Sequence, residues 1–398
     1  MLASRFPYPL EKGDKLRLYH QLRYLADEFD IYLFALTDET PDDASYQEIA
    51  RYCQRIFVYP DQRAQRNLRV IHQVKDRWPA QVRYFYSPRI HRQFLRDFFR
   101  INADVIYCQL YRMTPYLAGI QAPKVLDIMD DFGSIAHLHA QNARQLHQRW
   151  FWRREHRLIK RYESHLLHEY DHVTVISERD AQNLNPPADV KLSIVRNGID
   201  VSFFQEYPLR DKKPSYDIGF FGNLEYKPNI EGVRYLLQEI LPLFRRQQLP
   251  IRILIGGKGA ENLQWSASDY PEVTFHGWYD DIRSAYYAVR VFVVPLFLGS
   301  GMQNKVLEAM ACDLPVICTS HVMQGMPMLR EYAMVADQPQ EFLNHYLTLT
   351  QNEKTASKQS GILSVLKHDL TWENQCSILK EILNDTRKSY GWSFTRYH

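Results

Sequence analysis

The chain has little that would tie it to metals, disulfides or a membrane span. Its 398 residues include five cysteines: Cys53, Cys108, Cys312, Cys318 and Cys376. None forms a CxxC pair and none clusters with histidine, which argues against a zinc site and a disulfide framework and for reduced, buried thiols in a cytoplasmic protein. No run of about 18 apolar residues is present, so no spanning helix is expected. The opening MLASRFPYPLEKGDK has no apolar signal core. Neither sign of charge dominates, since 49 Lys and Arg against 46 Asp and Glu leave +3. That balance gives no reason to expect nucleic acid as a partner. There is no Asp-x-Asp, no short internal repeat and no low-complexity tract. What is there is ordinary for a soluble globular protein, 45% hydrophobic and 24% charged, with length for two or three domains. The 26 tyrosines and 20 phenylalanines suit large cores and also sugar or lipid surfaces.

One stretch organises the rest: Val291 to Thr319, VFVVPLFLGSGMQNKVLEAMACDLPVICT. Val291–Pro295 is short, apolar and β-branched, a buried strand. Gly299 and Gly301 allow a turn where a side chain would clash. Met302 to Ala311 carries good helix formers, and Asp313 and Pro315 end the helix before a second strand, Val316–Thr319. With the helix starting at Met302, the amides of Met302, Gln303 and Asn304 lack partners inside it and favour an anion. Lys305 and Glu308 share a face one turn in. The lysine adds a positive charge, and the carboxylate suits hydroxyls such as a ribose diol. A nucleoside diphosphate would use both. A plain βαβ unit with a tight turn fits the same spacing.

GSGMQNKVLEAMACDLPVI resembles the donor-site motif of glycosyltransferase family 4, retaining enzymes of GT-B fold. The resemblance implies an α/β chain of two Rossmann-like domains facing each other across a cleft. It implies that Glu308 binds the donor ribose and that the Gly301–Asn304 backbone, with Met302 and Gln303, holds the diphosphate. The family often places a second Glu, contacting the transferred sugar, eight positions before the ribose Glu; this chain has Ser300 there. The resemblance covers nearly the whole chain and is most specific from Gly219 to Thr319.

In the N-terminal half, helical spacing from about Asp14 to Phe29 follows a loop, Phe6–Lys15. The family's first loop carries a Gly near donor phosphates and acceptor, which makes Gly13 and Lys15 candidates; a solvated capping loop is the plain alternative. Strands are expected at Ile31–Leu36, Ile56–Tyr59, Asp104–Gln109, Lys124–Met129 and Asp171–Ser177. After Lys124–Met129 the family commonly carries a His near the reacting sugar, and here Asp130 takes that place; His137 and His139 follow in a helical pattern. Two basic, aromatic segments read either as solvated helices or as binding surfaces: Arg63–Arg100 for a membrane or a charged acceptor, and Arg144–Arg161 for anionic lipid or nucleic-acid phosphate.

In the C-terminal half, Tyr216–Phe221 opens a second sheet. In the loop that follows, family members use an Arg and a Lys on the diphosphate; Lys227 fits the Lys, and Asn223 stands at the Arg position. A helix is expected from Ile230 to Arg246. Gly257, after Ile251–Ile255, matches the loop near base and phosphates, and Gly277, after Val273, the turn beside the base. The chain is read as an N-terminal domain to 209, a donor domain 210–371, and a last helix from Trp372 that crosses back.

The reading is a metal-independent, retaining hexosyltransferase with no cofactor. It would move a sugar from a UDP- or GDP-type donor to a hydroxyl of a glycan, lipid-linked or other acceptor in polysaccharide or glycoconjugate synthesis. It would be cytoplasmic and peripheral on the inner face of the membrane. Asp130, Lys227 and Lys305 are the catalytic candidates. The alternatives are a nucleotide-sugar epimerase of the same fold, which needs a carboxylate placed for proton abstraction, and a non-catalytic partner binding nucleotide sugar or membrane. Product analysis separates them.

Overall fold

A computed structural model of the chain describes residues 1–72, 77–143, 145–208, 213–265, 268–299, 301–351 and 361–389. The chain divides into two compact units, Met1–Asn197 with the stretch from Trp372 onward, and Gly198–Thr371. Each is built on one parallel sheet. The first holds β1 (Leu2–Ala3), β2 (Tyr32–Thr37), β3 (Arg55–Pro60), β4 (Ile106–Gln109), β5 (Lys124–Met129), β6 (His172–Val175) and β7 (Leu192–Ile194), in the order β3-β2-β1-β4-β5-β6-β7. The second holds β8 (Tyr216–Phe221), β9 (Ile253–Gly256), β10 (Val273–His276), β11 (Val289–Val294), β12 (Val316–Cys318) and β13 (Met334–Val335), in the order β10-β9-β8-β11-β12-β13. Both orders reverse direction once, between β1 and β4 and between β8 and β11. At such a switch point the loops leave the carboxyl ends of adjacent strands toward opposite sides and open a crevice. The central strands are apolar almost throughout, as in IGFF of β8 and ILIG of β9, because helices cover both faces of a parallel sheet.

Several elements differ from the sequence reading. The helix of the central stretch runs Asn304–Ala311, two residues shorter at its start than expected. Met302 is drawn into the core of the second unit, and Gln303 becomes the residue before the first turn. The expected helix Ile230–Arg246 starts at Lys227 and is broken by a wider turn, Leu236–Ile240, in which the Leu241 amide reaches the Leu236 carbonyl. Pro242 explains the break: it has no N–H, and its ring would clash with the carbonyl four residues back. The basic segment Arg63–Arg100 forms three helices, Arg63–His72, Ala80–Phe85 and Pro88–Phe98. Phe85, Phe94 and Phe98 lie in the core of the first unit, and Arg66 and Arg83 are buried against Asp61 and Glu155. These side chains belong to the interior of the first unit, while Leu68 and Phe99 of the same segment are exposed. The last helix, Trp372–Ser389, packs in the first unit against Gly13–Leu25; the Trp372 and His20 rings stack at 4.5 Å.

Candidate functional site

The second unit gathers most of the candidate residues around its switch point. The chain leaves β8 at Phe221 and passes Gly222 and Asn223. The Asn223 side-chain oxygen accepts from the Glu225 amide at 2.9 Å, closing a small turn. The helix Lys227–Tyr235 then begins, with Pro228 in its first turn and Asn229 directly after. Asn229 is 5% exposed, and its Nδ2 donates to the Asn223 carbonyl at 2.8 Å.

The second wall comes from β11. After the loop containing Gly299 and Gly301, both at positive φ, the helix Asn304–Ala311 carries Lys305 and Glu308. Gly301 is hemmed in, since a Cβ on Gly325 would lie 2.2 Å from its carbonyl oxygen. The partly buried Lys305 Nζ donates to Asn229 Oδ1 at 2.5 Å and lies 4.8 Å from the centre of the Phe220 ring. A Cβ on Gly222 would come within 2.8 Å of that nitrogen, so the ammonium sits directly under the glycine. Burial pushes the Lys305 pKa down to about 7, against the opposing pull of Glu308. Glu308 Oε2 accepts from the buried Tyr286 hydroxyl at 2.7 Å, and Tyr286 also donates to the Lys305 carbonyl at 3.3 Å. Burial raises the Glu308 pKa; the Tyr286 hydrogen bond and the Lys305 charge oppose it.

The structure therefore brings together Lys305, Glu308 and Asn223, with Met302, Gln303 and Asn304 leading into the helix. Lys227 opens the helix that carries Asn229, but its side chain is exposed. Ser300 lies outside the described residues. Gly257 takes φ +129, and it lies so close to Gly222 that a Cβ there would sit 2.0 Å from the Gly222 carbonyl oxygen. Its amide donates to the carbonyls of His276 and Gly277, so it braces the loops that line the site. Three contributors escaped the sequence reading. Asn229 carried a weak signal, an Asn just after Pro at a helix start; Tyr286 and Gly222 carried none.

In the first unit, Gly13 is the first residue of its helix, and a Cβ there would meet nothing within 4 Å. Lys15 follows in the first turn, its pKa lowered chiefly by burial. Burial alone would raise the Asp14 pKa, but Arg5 and Arg112, the latter at 2.8 Å, hold it below the usual carboxylate range. Asp130 follows β5, where the register shifts between Asp127 and Met129 and Met129 takes φ +64. The next residue, Asp131, caps the helix Phe132–Asn142 through the Ser134 amide at 2.9 Å and is met by Lys160 at 3.3 Å. His139 stacks on Trp152 and His137 lies beside His156, contacts within the pair of helices Phe132–Asn142 and Leu146–Glu169.

A doubly wound sheet with a cation and a carboxylate at its switch point has the form of a nucleotide-binding domain. The comparisons with known proteins agree. A family model of glycosyltransferase family 4 matches residues 16–203, and one of glycosyl transferases group 1 matches residues 215–352. The chain belongs to these glycosyltransferases. An O-antigen chain mannosyltransferase B of Escherichia coli is 32% identical over 127 residues; the match spans 30% of this chain and 32% of that protein. An uncharacterized 44.6 kDa protein in the cps region of Klebsiella pneumoniae is 21% identical over 88% of this chain and 90% of its own length. Among solved structures, Anabaena HepE in complex with UDP-glucose superposes with a TM-score of 0.67 at 15% identity, covering 96% of this chain and 98% of that one. WaaG, a glycosyltransferase involved in lipopolysaccharide biosynthesis, does so with 0.64 at 12% identity, covering 96% and 99%. These likenesses show the fold, which is GT-B.

Proposed function

We propose that this glycosyltransferase takes a sugar from a UDP- or GDP-type donor to the hydroxyl of a glycan or lipid-linked acceptor, without a metal and with retention at the anomeric carbon. The observation that carries the reading is the Lys305 ammonium fixed under Gly222, with Glu308 held by Tyr286 one turn further on. The first suits a diphosphate oxygen, and the second suits a ribose hydroxyl. The known ligand of HepE and the O-antigen activity named for the E. coli relative support the donor and acceptor classes. In the reaction the bond from the anomeric carbon to the diphosphate oxygen breaks. The acceptor oxygen bonds to that carbon on the leaving-group face, and the acceptor proton passes to the departing phosphate. The diphosphate gains charge as the bond breaks, so a fixed cation stabilises the transition state more than the ground state. Lys305, with Lys227 at the neighbouring helix start, supplies the charge that a metal would. Asp130 stands as the candidate to face the reacting sugar from the N-terminal domain.

Product analysis with a panel of nucleoside diphosphate sugars in EDTA tests the reading. Transfer to acceptor with release of the nucleoside diphosphate supports it. An epimerised sugar nucleotide, or binding without turnover, replaces it with one of the alternative readings. Turnover that requires added manganese or magnesium contradicts the metal-free part.

The acceptor side includes an anionic membrane surface in this proposal, and the helix Leu146–Glu169 supports it. Leu146 is 83% and Trp150 64% exposed. On the same helical face stand the exposed Arg149, Arg153, Arg157 and Arg161, and no carboxylate interrupts them. Two apolar anchors among arginines suit the headgroup region of the cytoplasmic leaflet, where each basic side chain adds about 1 kcal/mol. In vesicle sedimentation, the protein should pellet with phosphatidylglycerol vesicles and not with phosphatidylcholine ones. Trp150→Ala with Arg153→Glu should abolish the difference; equal binding to both vesicles contradicts the surface.

A further inference from the structure

Lys227 and Lys305 were equal candidates as cations, but they are held differently. A lysine ammonium is a point charge on a flexible stem, and fixing it costs rotamer entropy. Lys227 is exposed at the end of such a stem. Lys305 is confined by the missing side chain of Gly222, by the Phe220 ring and by the Asn229 amide. Asn229 is fixed in turn. Its Oδ1 faces the ammonium and its Nδ2 the Asn223 carbonyl, the one orientation of the amide that satisfies both. One buried side chain thus ties the loop after β8 to the helix after β11, the two walls of the switch point.

The partner is neutral, and that matters for the charge. A carboxylate in its place would form an ion pair and cancel the field a ligand should meet. An amide fixes the position and adds no counter-charge of its own. Among the described residues Asn229 is the one hydrogen-bond acceptor of this ammonium, which carries three N–H donors. The titratable groups around it are Glu308 on its own helix and Tyr286 from Arg283–Tyr287; β8 offers Phe220, and the helix Lys227–Tyr235 offers only the amide.

We propose that Asn229 is the positioning residue for the donor diphosphate: it holds the Lys305 ammonium at the switch point without neutralising it. The inference rests on the transferase reading of the same site and adds to it a residue that touches no substrate. Burial outweighs the attraction of Glu308 and leaves the lysine titrating at about 7, so its charge responds to what stands beside it.

The test uses protein labelled with 13C at lysine Cε, with Lys305→Met assigning the resonance. Its titration is followed by NMR in wild type and in Asn229→Asp and Asn229→Ala. Affinities for UDP and GDP are measured by calorimetry in parallel. A carboxylate beside the ammonium favours the charged form, so Asn229→Asp should move the Lys305 midpoint up by about one unit or more. It should also weaken whichever nucleotide binds by about tenfold or more, through the lost field. Asn229→Ala should weaken binding similarly without the upward shift. An unmoved midpoint in Asn229→Asp overturns the proposal. So does a moved midpoint with unchanged nucleotide affinity, and this result leaves the transferase reading intact. Wild type that binds neither nucleotide, or Lys305→Met that binds as well as wild type, overturns the donor site itself and the proposal with it.

Discussion

In the first unit the buried charges face one another. Arg17 meets Asp127 at 2.7 Å with both side chains almost wholly buried, and the same guanidinium bonds the carbonyls of Val195 and Arg196 and the Asn197 side chain. Arg66 pairs with Asp61 and Asp38, and Asp14 with Arg5 and Arg112. In the second unit the two charges at the switch point attract each other without an ion-pair contact, and their hydrogen-bond partners are neutral: Asn229 for Lys305 and Tyr286 for Glu308. The sheets share one winding, so the difference lies in the side chains. A closed buried pair has spent its charge on structure, and breaking it leaves an uncompensated ion. A charge held by an amide or a phenol keeps its position and remains available to a ligand.

The largest effect is expected where a closed pair is broken. Arg17→Met should destabilise the first unit by about 3–5 kcal/mol, because Asp127 is left buried and unpaired. Denaturant unfolding measures it, and nucleotide affinity at low temperature should stay near wild type. A loss below about 1 kcal/mol would remove the contrast between the units. Next comes Lys305→Ala, expected to lower turnover by about 100- to 1000-fold with the fold intact, the usual cost of one preorganised electrostatic stabiliser. Steady-state kinetics should show the loss in kcat more than in KM; near wild-type turnover removes Lys305 from the site. Glu308→Ala should weaken nucleotide binding by about tenfold or more, the worth of a charge-assisted hydrogen bond, and Glu308→Gln by less, since the amide still accepts from one hydroxyl. Calorimetry on folded protein checks both, and an unchanged affinity sinks the ribose assignment. The smallest effect belongs to Lys227→Ala. An exposed ammonium is screened by water and salt, so a loss of only several-fold is expected. A loss matching that of Lys305→Ala would show that fixing the charge is not what distinguishes the two lysines.

Much of this was legible in the chain because it is local. Strand, glycine turn, helix and strand follow from periodicity and from Gly299, Gly301 and Pro315, and the parallel sheets follow from repeated βα alternation. The helix start was misplaced because Met302 packs into the core, which no cap residue announces. The site was legible as Lys305 and Glu308, three residues apart on one helix. Their partners were not, since Asn229 lies 76 positions from Lys305 and Tyr286 lies 22 from Glu308. Only the winding of the sheet brings them in. In the arginine-rich segment after Arg63, composition shows charge but not its burial: Arg66 meets Asp61 from just upstream, and Arg83 meets Glu155 from the helix Leu146–Glu169.

Proton uptake on binding UDP or GDP tests the open charge of Lys305 most directly. Burial lowers the Lys305 pKa to about 7, so at pH 8.5 the free protein holds this lysine largely without its proton. A diphosphate beside it favours the charged form and draws a proton from solvent. Calorimetry in buffers of different ionisation enthalpy should therefore show net uptake by wild type that disappears in Lys305→Met, with wild-type affinity falling as the pH rises above 7. No uptake, or equal uptake in the two proteins, would contradict the account.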